Sequence, residues 1–508
     1  MRWIRFCFAA LLAIFAQFLI PAAAQAKWLK AETPNFVVYS TGSDKELRRF
    51  ATNLERFHAT AQFAFKVNNT PNPNKLTVYF LGTQEAVAKL AGDKSGMVAG
   101  FYSARDEGSF AVANRSKADN MFDLGGMTVL FHEYTHHFMF RHFSYSYPSW
   151  YVEGFAEYLS TATFEDKGSW TLGKPAYHRA YSLLEGPKVP IERLLFSKVS
   201  DLKPEEMGPF YGRSWLLVHM LNMKPEYKGK LKVYFEAIAA GKTHREAATT
   251  AFGDLAALDK ALDRYLESKI SYLASDKPVA AETIVTVTPL SDLAGQVIAF
   301  KMDRLRGGLD AKGMAALAAL AAANPGDAEV WYELAKAKHQ DSEYKEDKAA
   351  RKAQVAEAEG AVDKALAINP NHARANVLKA QILFARLEDA RDSNASRWSA
   401  ARMYLITANK NATEDPLVLL TWFDSFGMQG RTPSKVARDG LMKAFELAPE
   451  VVEIRVKLAF DLASQGKFDE ALGLVEFLAQ HPHYSAQGQE LVEQIKKMRD
   501  RKLEADEG

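Results

Sequence analysis

Two histidines four residues apart constrain this 508-residue chain more than any other feature. They frame the run His132-Glu133-Tyr134-Thr135-His136. At 3.6 residues per turn, His132 and His136 lie one above the other on a single helical face, so their imidazoles can chelate one ion. Glu133 is offset by one position and reaches a place beside that ion where a water must be activated. The pattern predicts a helix over Met121–Arg141. Two imidazoles and a water leave a tetrahedral zinc one ligand short. The stretch Trp150-Tyr151-Val152-Glu153-Gly154-Phe155-Ala156-Glu157-Tyr158 supplies it, just past the break at Pro148 and reading as a second helix over Trp150–Phe164. Glu153 follows His136 with 16 residues between, enough for a helix exit, a loop and one turn back. Glu157 lies four further on, on the same face, where it can accept the second N–H of a ligand histidine and fix its tautomer. Carboxylates at this spacing repel in a buried helix face; a cation and an imidazole N–H between them remove the objection. The expected site is therefore Zn2+ held by His132, His136 and Glu153, with Glu133 as base and Glu157 behind the ligands.

The surrounding composition is that of a globular protein: 48% hydrophobic and 25% charged residues exclude wholesale disorder. The 64 basic and 62 acidic residues balance once Arg2 and Arg5 are set aside, because no acid lies in the first 26 residues. A neutral chain has no electrostatic case for binding nucleic acid or an anionic membrane. The single cysteine, Cys7, lies in that leading segment, which leaves no disulfide framework and no cysteine nucleophile elsewhere. Residues 1–26 place two arginines before an apolar run from Phe6 to Ile20, then Pro21 and the small-x-small site Ala24-Gln25-Ala26. This pattern predicts a signal peptide cleaved before Lys27, and hence an exported, most simply periplasmic, protein of a Gram-negative bacterium. The alternative is a membrane anchor, for which the run is short against a hydrocarbon core of ~30 Å. No stable membrane insertion is expected after cleavage.

Residues 27–120 alternate strand and helix signals, with strands at Phe36–Ser40, Leu76–Phe80, Ala99–Ser103 and Phe110–Ala113. Residues 121–270 read as helical, including Tyr211–Leu221, Tyr227–Ala240 and Leu255–Leu266. A linker over 271–311 follows, with a brief strand candidate at Ile284–Val287. Residues 312–495 carry apolar and alanine positions at helical spacing in pairs of helices, and 496–508 is a polar tail. Pro449 and Pro482 are 33 residues apart, close to the tetratricopeptide period, and the segment between them resembles such a repeat. A plain helical bundle is the alternative. A repeat array would expose a concave face for a protein partner. His178, Arg179, Arg213 and His219 are further candidates to line a cleft. His137 and His142 are expected to pack or meet solvent, and Arg141 has no evident duty.

The pair HEYTH and WYVEGFAEY resembles the gluzincin metallopeptidases, most closely the M1 aminopeptidase-like group. That resemblance implies an α+β fold: a thermolysin-like core, with a small mixed sheet and a helical half, followed here by the tetratricopeptide-like array. It makes Glu153 the third zinc ligand. The stretch Phe210–Leu221 looks like the helix that follows the catalytic segment in those enzymes, and Tyr211 matches the tyrosine that opens it and donates a hydrogen bond to the tetrahedral intermediate. The part from Trp28 through Gly100 resembles a bacterial domain of unknown function that joins such a core to tetratricopeptide repeats. The family's GxMEN strand has its nearest counterpart in Gly108-Ser109-Phe110-Ala111-Val112-Ala113-Asn114, which lacks the glutamate that anchors a free amine. The expected function is zinc-dependent hydrolysis of a peptide or protein substrate, endopeptidase favoured over aminopeptidase. The contrasting readings are an inactive gluzincin scaffold serving as a repeat-based interaction module, and a zinc site acting on a non-peptide substrate.

Overall fold

The computed structural model describes residues 27–67, 73–96, 98–115, 125–143, 147–280, 283–479 and 484–507. The expected leader at 1–26, residues 121–124 of the first expected helix and Pro482 lie outside them. The described chain is a mixed α/β unit followed by a long all-α array.

Nine described strands form two sheets. They are β1 Leu29–Glu32, β2 Phe36–Ser40, β3 Leu76–Leu81, β4 Gly100–Ser103, β5 Phe110–Asn114, β6 Thr163–Phe164, β7 Trp170–Leu172, β8 Leu273–Ser275 and β9 Thr286–Pro289. The larger sheet runs β4-β5-β3-β2-β1-β9, with β2, β3 and β5 parallel and the other pairings antiparallel. The parallel β2–β3 pair needs a crossover, and the helix Asp44–Phe65 provides it. A reciprocal Ser43–Glu46 capping box starts that helix, and Leu47, Phe50, Leu54 and Phe57 form its buried stripe. Phe57 stacks on Phe131 at 3.9 Å, tying the crossover helix to the one that carries His132.

The first motif helix spans Gly126–His142. A Cβ on Gly126 would come 2.2 Å from the Asn114 carbonyl oxygen, so the helix begins hard against the end of β5. Its neighbour is Ser149–Ser160, shorter than the expected Trp150–Phe164, and every residue in it is buried. It stops because the chain reverses into the small β6-β7-β8 sheet, where Gly168 takes φ +89° in the turn. Gly154 lets this helix approach the helix Pro204–Met223: a Cβ there would lie 2.4 Å from the Ser214 carbonyl oxygen. The latter helix starts seven residues before the expected Tyr211. Pro209 sits inside it and frees only the carbonyl of the exposed Glu205, which water can satisfy. Tyr211 therefore lies within a helix and does not open one.

The segment 271–311, read from sequence as a linker, holds β8, β9 and the helix Asp292–Gly307. β9 pairs with β1, and Leu305 of that helix packs with Tyr79, Leu81 and Phe110 on the sheet face opposite the motif helices. Beyond it, helices pack in consecutive pairs whose first members begin at residues 328, 373, 416 and 452. The spacing shrinks from 45 residues to 36, so only the last unit nears the tetratricopeptide period. The final helix, Ser485–Glu507, carries on through the expected polar tail. The array meets the α/β unit at both ends. At its start, buried Arg304 pairs with Glu107 of the β4–β5 turn (3.2 Å) and with Glu333 (2.5 Å). At its end, Arg141 pairs with Glu450 (3.2 Å), and Phe140 meets Phe477 edge to face. Among the described residues no helix is long and apolar enough to cross a membrane.

Gly154→Ala should overpack the contact with Ser214 and destabilise by about 1–3 kcal/mol. Gly360→Ala, at an exposed helical position with open space around the new Cβ, should be neutral or stabilise by up to ~1 kcal/mol. Chemical denaturation of the two variants in parallel checks the contrast, and equal midpoints would refute the packing account.

Candidate metal centre

Helix Gly126–His142 presents His132 and His136 on one face, and helix Ser149–Ser160 presents Glu153 opposite them. Nε2 of His132 lies 3.1 Å from Nε2 of His136, and Oε2 of Glu153 is 3.3 Å from the first and 3.4 Å from the second. These three atoms form a nearly equilateral triangle. A tetrahedral zinc with ligand distances of ~2.0–2.2 Å separates its ligand atoms by roughly 3.3–3.5 Å, so the triangle has the size of one face of that tetrahedron. Both carboxylate oxygens of Glu153 are buried, and among the described residues neither accepts a well-aligned hydrogen bond. A carboxylate in a low-dielectric interior needs a compensating positive charge, which a metal ion held by the three atoms, or a proton on His132, would supply. The donor set, its spacing and its unmet charge all fit a divalent metal such as Zn2+.

Glu157 differs from Glu153 although it shares the helix face. Its Oε1 lies 3.3 Å from His132 Nδ1 and accepts from Arg179 Nη2 at 2.5 Å, and its Oε2 is 2.8 Å from His178 Nε2. An Nδ1–H directed at Glu157 leaves the Nε2 lone pair of His132 facing the triangle. Burial opposes the charge on Glu157, but Arg179 with the two histidines holds its carboxyl well below the usual range. Burial likewise opposes a charged His132, and Glu153 and Glu157 outweigh it, pushing the imidazole up to about 10. A metal bound here would compete with a proton for His132. Nδ1 of His136 is buried and has no partner among the described residues, so of the two histidines it is His132 that they orient from behind.

The cleft over this triangle, about 180 Å³, is lined by Glu133 and Tyr211 as well as by the cluster. The Tyr211 ring stacks on His132 at 6.2 Å between centroids, and the Arg179 guanidinium lies 5.2 Å from its centre. Burial first, then the nearby Glu153 carboxylate, raise the Tyr211 hydroxyl well above its ordinary value, so it stays protonated and able to donate. A second lobe of about 100 Å³ shares Glu133 and His136 and extends to Tyr102, Phe140, Arg455 and Phe477.

The other histidine and arginine candidates divide cleanly. His178 and Arg179 reach the site through Glu157. Arg213 pairs instead with Asp259 (2.6 Å) and Asp263 (2.8 Å), and His219 bonds the Gly173 carbonyl and the Tyr265 hydroxyl in the core. His137 is buried against the Tyr102 hydroxyl at 2.9 Å, and His142 packs on Phe138. Arg141 gains its duty from Glu450. The array residues at the second lobe carry no signal in the sequence, since Glu450 and Arg455 read there as ordinary charges near a helix start. No protein-family model and no curated protein matches this chain.

Protein purified without chelator should carry close to one zinc per chain by elemental analysis. His132→Ala/His136→Ala should lose it. Glu157→Gln should weaken retention about 10–100-fold, the scale for a partner that orients a ligand. Unchanged zinc in the double variant would refute the site.

Proposed function

We propose that this chain is a zinc-dependent peptidase of gluzincin type, with His132, His136 and Glu153 as ligands, Glu133 as general base and Tyr211 as oxyanion donor. The observation that carries the reading is the metal-sized triangle with Glu133 and Tyr211 lining the same cleft. The motif resemblance agrees with it, and so does the arrangement of a small mixed sheet beside a helical half. Zinc bound there supplies Lewis-acid polarisation of a carbonyl and acidifies a water toward neutral pH.

The remaining chemistry belongs to the protein. Glu133 takes a proton from the attacking water as its oxygen bonds to the carbonyl carbon, and returns it to the amine nitrogen as the C–N bond breaks. Tyr211 donates to the oxygen on which negative charge develops, an interaction strongest in the transition state. Glu157, held by His178 and Arg179, keeps His132 in its ligating tautomer. The leader sequence supports export to the periplasm, and a protein partner on the array stays part of the proposal on sequence grounds. The GxMEN-like strand brings no glutamate, which supports a substrate not held by its amino terminus.

Glu133→Gln should keep zinc and fold but abolish hydrolysis, because an amide cannot accept the proton. Tyr211→Phe should lower kcat ~10²–10³-fold with little change in KM. Hydrolysis of peptides with blocked and free amino termini, by wild type and Glu133→Gln in parallel, checks both. Equal activity in the two proteins would end the peptidase reading.

A further inference from the structure

The second lobe of the cleft has one wall from the motif helix and another from the array. Glu133 and His136 line it on one side, and Arg455, Phe477 and Glu450 on the other. Two of these groups are charged and buried, and they differ in what they lack. Glu450 is satisfied: one oxygen accepts from Ser109 Oγ at 3.1 Å and the other from Arg141 Nη1 at 3.2 Å. Arg455 is 1% exposed, and its Nη2 donates to the Pro449 carbonyl at 2.9 Å, but its buried Nη1 has no partner among the described residues. Its guanidinium lies 4.4 Å from the centre of the Phe477 ring and 5.1 Å from that of Phe445, so aromatic carbon packs against it while Nη1 stays unmet.

A buried guanidinium with an unmet N–H is costly, and a ligand group that accepts from it is one way to meet that cost. Burial pulls Arg455 down to about 10 against the opposing pull of Glu450, which still leaves it fully charged at neutral pH. Its free Nη1–H suits a carboxylate oxygen, the strongest acceptor a peptide carries. An incoming ammonium would find Glu450 already neutralised by Arg141 and Arg455 nearby. The unmet N–H of Arg455 is thus the group of this lobe left to meet an anion.

We propose that Arg455 receives the C-terminal carboxylate of the peptide substrate, so that the enzyme releases short fragments from carboxyl termini. The proposal rests on the peptidase reading. It narrows the endopeptidase expectation to cleavage close to a free carboxyl end. A peptide lying across both lobes passes Glu133, with its last residues in the lobe that Arg455 closes. Hydrolysis there puts the water oxygen on the carbonyl carbon and a proton on the departing nitrogen, so the product leaving this lobe is a short peptide or amino acid with a free amine. The array then forms part of the specificity pocket, and Arg455 is a substrate-binding residue.

The test uses full-length, zinc-loaded Glu133→Gln protein, in which binding is read without turnover. Affinities of one short peptide as free acid and as C-terminal amide are measured by calorimetry. Amidation should weaken binding about tenfold or more when Arg455 is present, the effect of losing a charged hydrogen-bonded pair. It should have little effect in Arg455→Met, which keeps most of the side-chain volume, and an intermediate effect in Arg455→Lys. Equal affinities for acid and amide with Arg455 intact would overturn the proposal, whether or not the Arg455→Met protein folds. Wild-type cleavage products, sized by mass spectrometry, separate this failure from that of the peptidase reading. Internal cleavage indifferent to amidation would remove the carboxylate site and keep the peptidase. Arg455-dependent discrimination without any hydrolysis would keep the carboxylate site and remove the peptidase.

Discussion

Everything at the site depends on a buried carboxylate, Glu153, for which the described residues supply no well-aligned hydrogen bond. Glu153 and Glu157 project from the same face of a helix with no exposed residue, and the protein treats them in opposite ways. Glu157 is saturated by Arg179, His178 and His132, while Glu153 faces two imidazole nitrogens at 3.3 and 3.4 Å and, among the described residues, accepts no well-aligned hydrogen bond. An ionised group in that position is tolerable only with a compensating positive charge. The cation that would compensate it has a place of defined size, set by three atoms 3.1–3.4 Å apart. The fold serves that geometry at its closest contacts. Gly126 brings the histidine helix against β5, and Gly154 brings the glutamate helix against the helix that bears Tyr211.

The array is integral to this arrangement. Its first helices are fixed to the sheet through the buried Arg304 with Glu107 and Glu333, and its last pair returns to the motif helix through Arg141–Glu450 and Phe140–Phe477. The inner charges Asp415, Asp424 and Glu453 feel the field of Asp106, which sits in the β4–β5 turn. Part of the array's inner side is thus turned toward the protein's own sheet edge. A cleft built from residues more than 300 positions apart couples the stability of the array to the shape of the site.

What was legible in the sequence followed from local periodicity. The 3.6-residue helical repeat placed His132, His136, Glu153 and Glu157 on facing surfaces, and β2 to β5 were marked by short β-branched and aromatic runs. The helix Leu255–Leu266 has the bounds expected of it. Errors arose where tertiary contacts decide. Strand β1 is four residues long and gains its identity only from pairing with β2 and β9. The helix through Pro209 continues because one freed carbonyl faces solvent. His178 and Arg179 were only candidates for a cleft, since nothing in their spacing ties them to Glu157, and Arg455 was invisible because its burial comes from Phe445 and Phe477 in neighbouring helices.

The central claim is that His132, His136 and Glu153 converge to hold one zinc, and anomalous diffraction from a crystal of the protein tests it most directly. Data collected above and below the zinc absorption edge should give a single strong difference peak within bonding distance of the two Nε2 atoms and the Glu153 carboxylate. That peak should disappear below the edge. A zinc peak at any other position with this triangle empty, or none in protein grown and purified with zinc, would contradict the account.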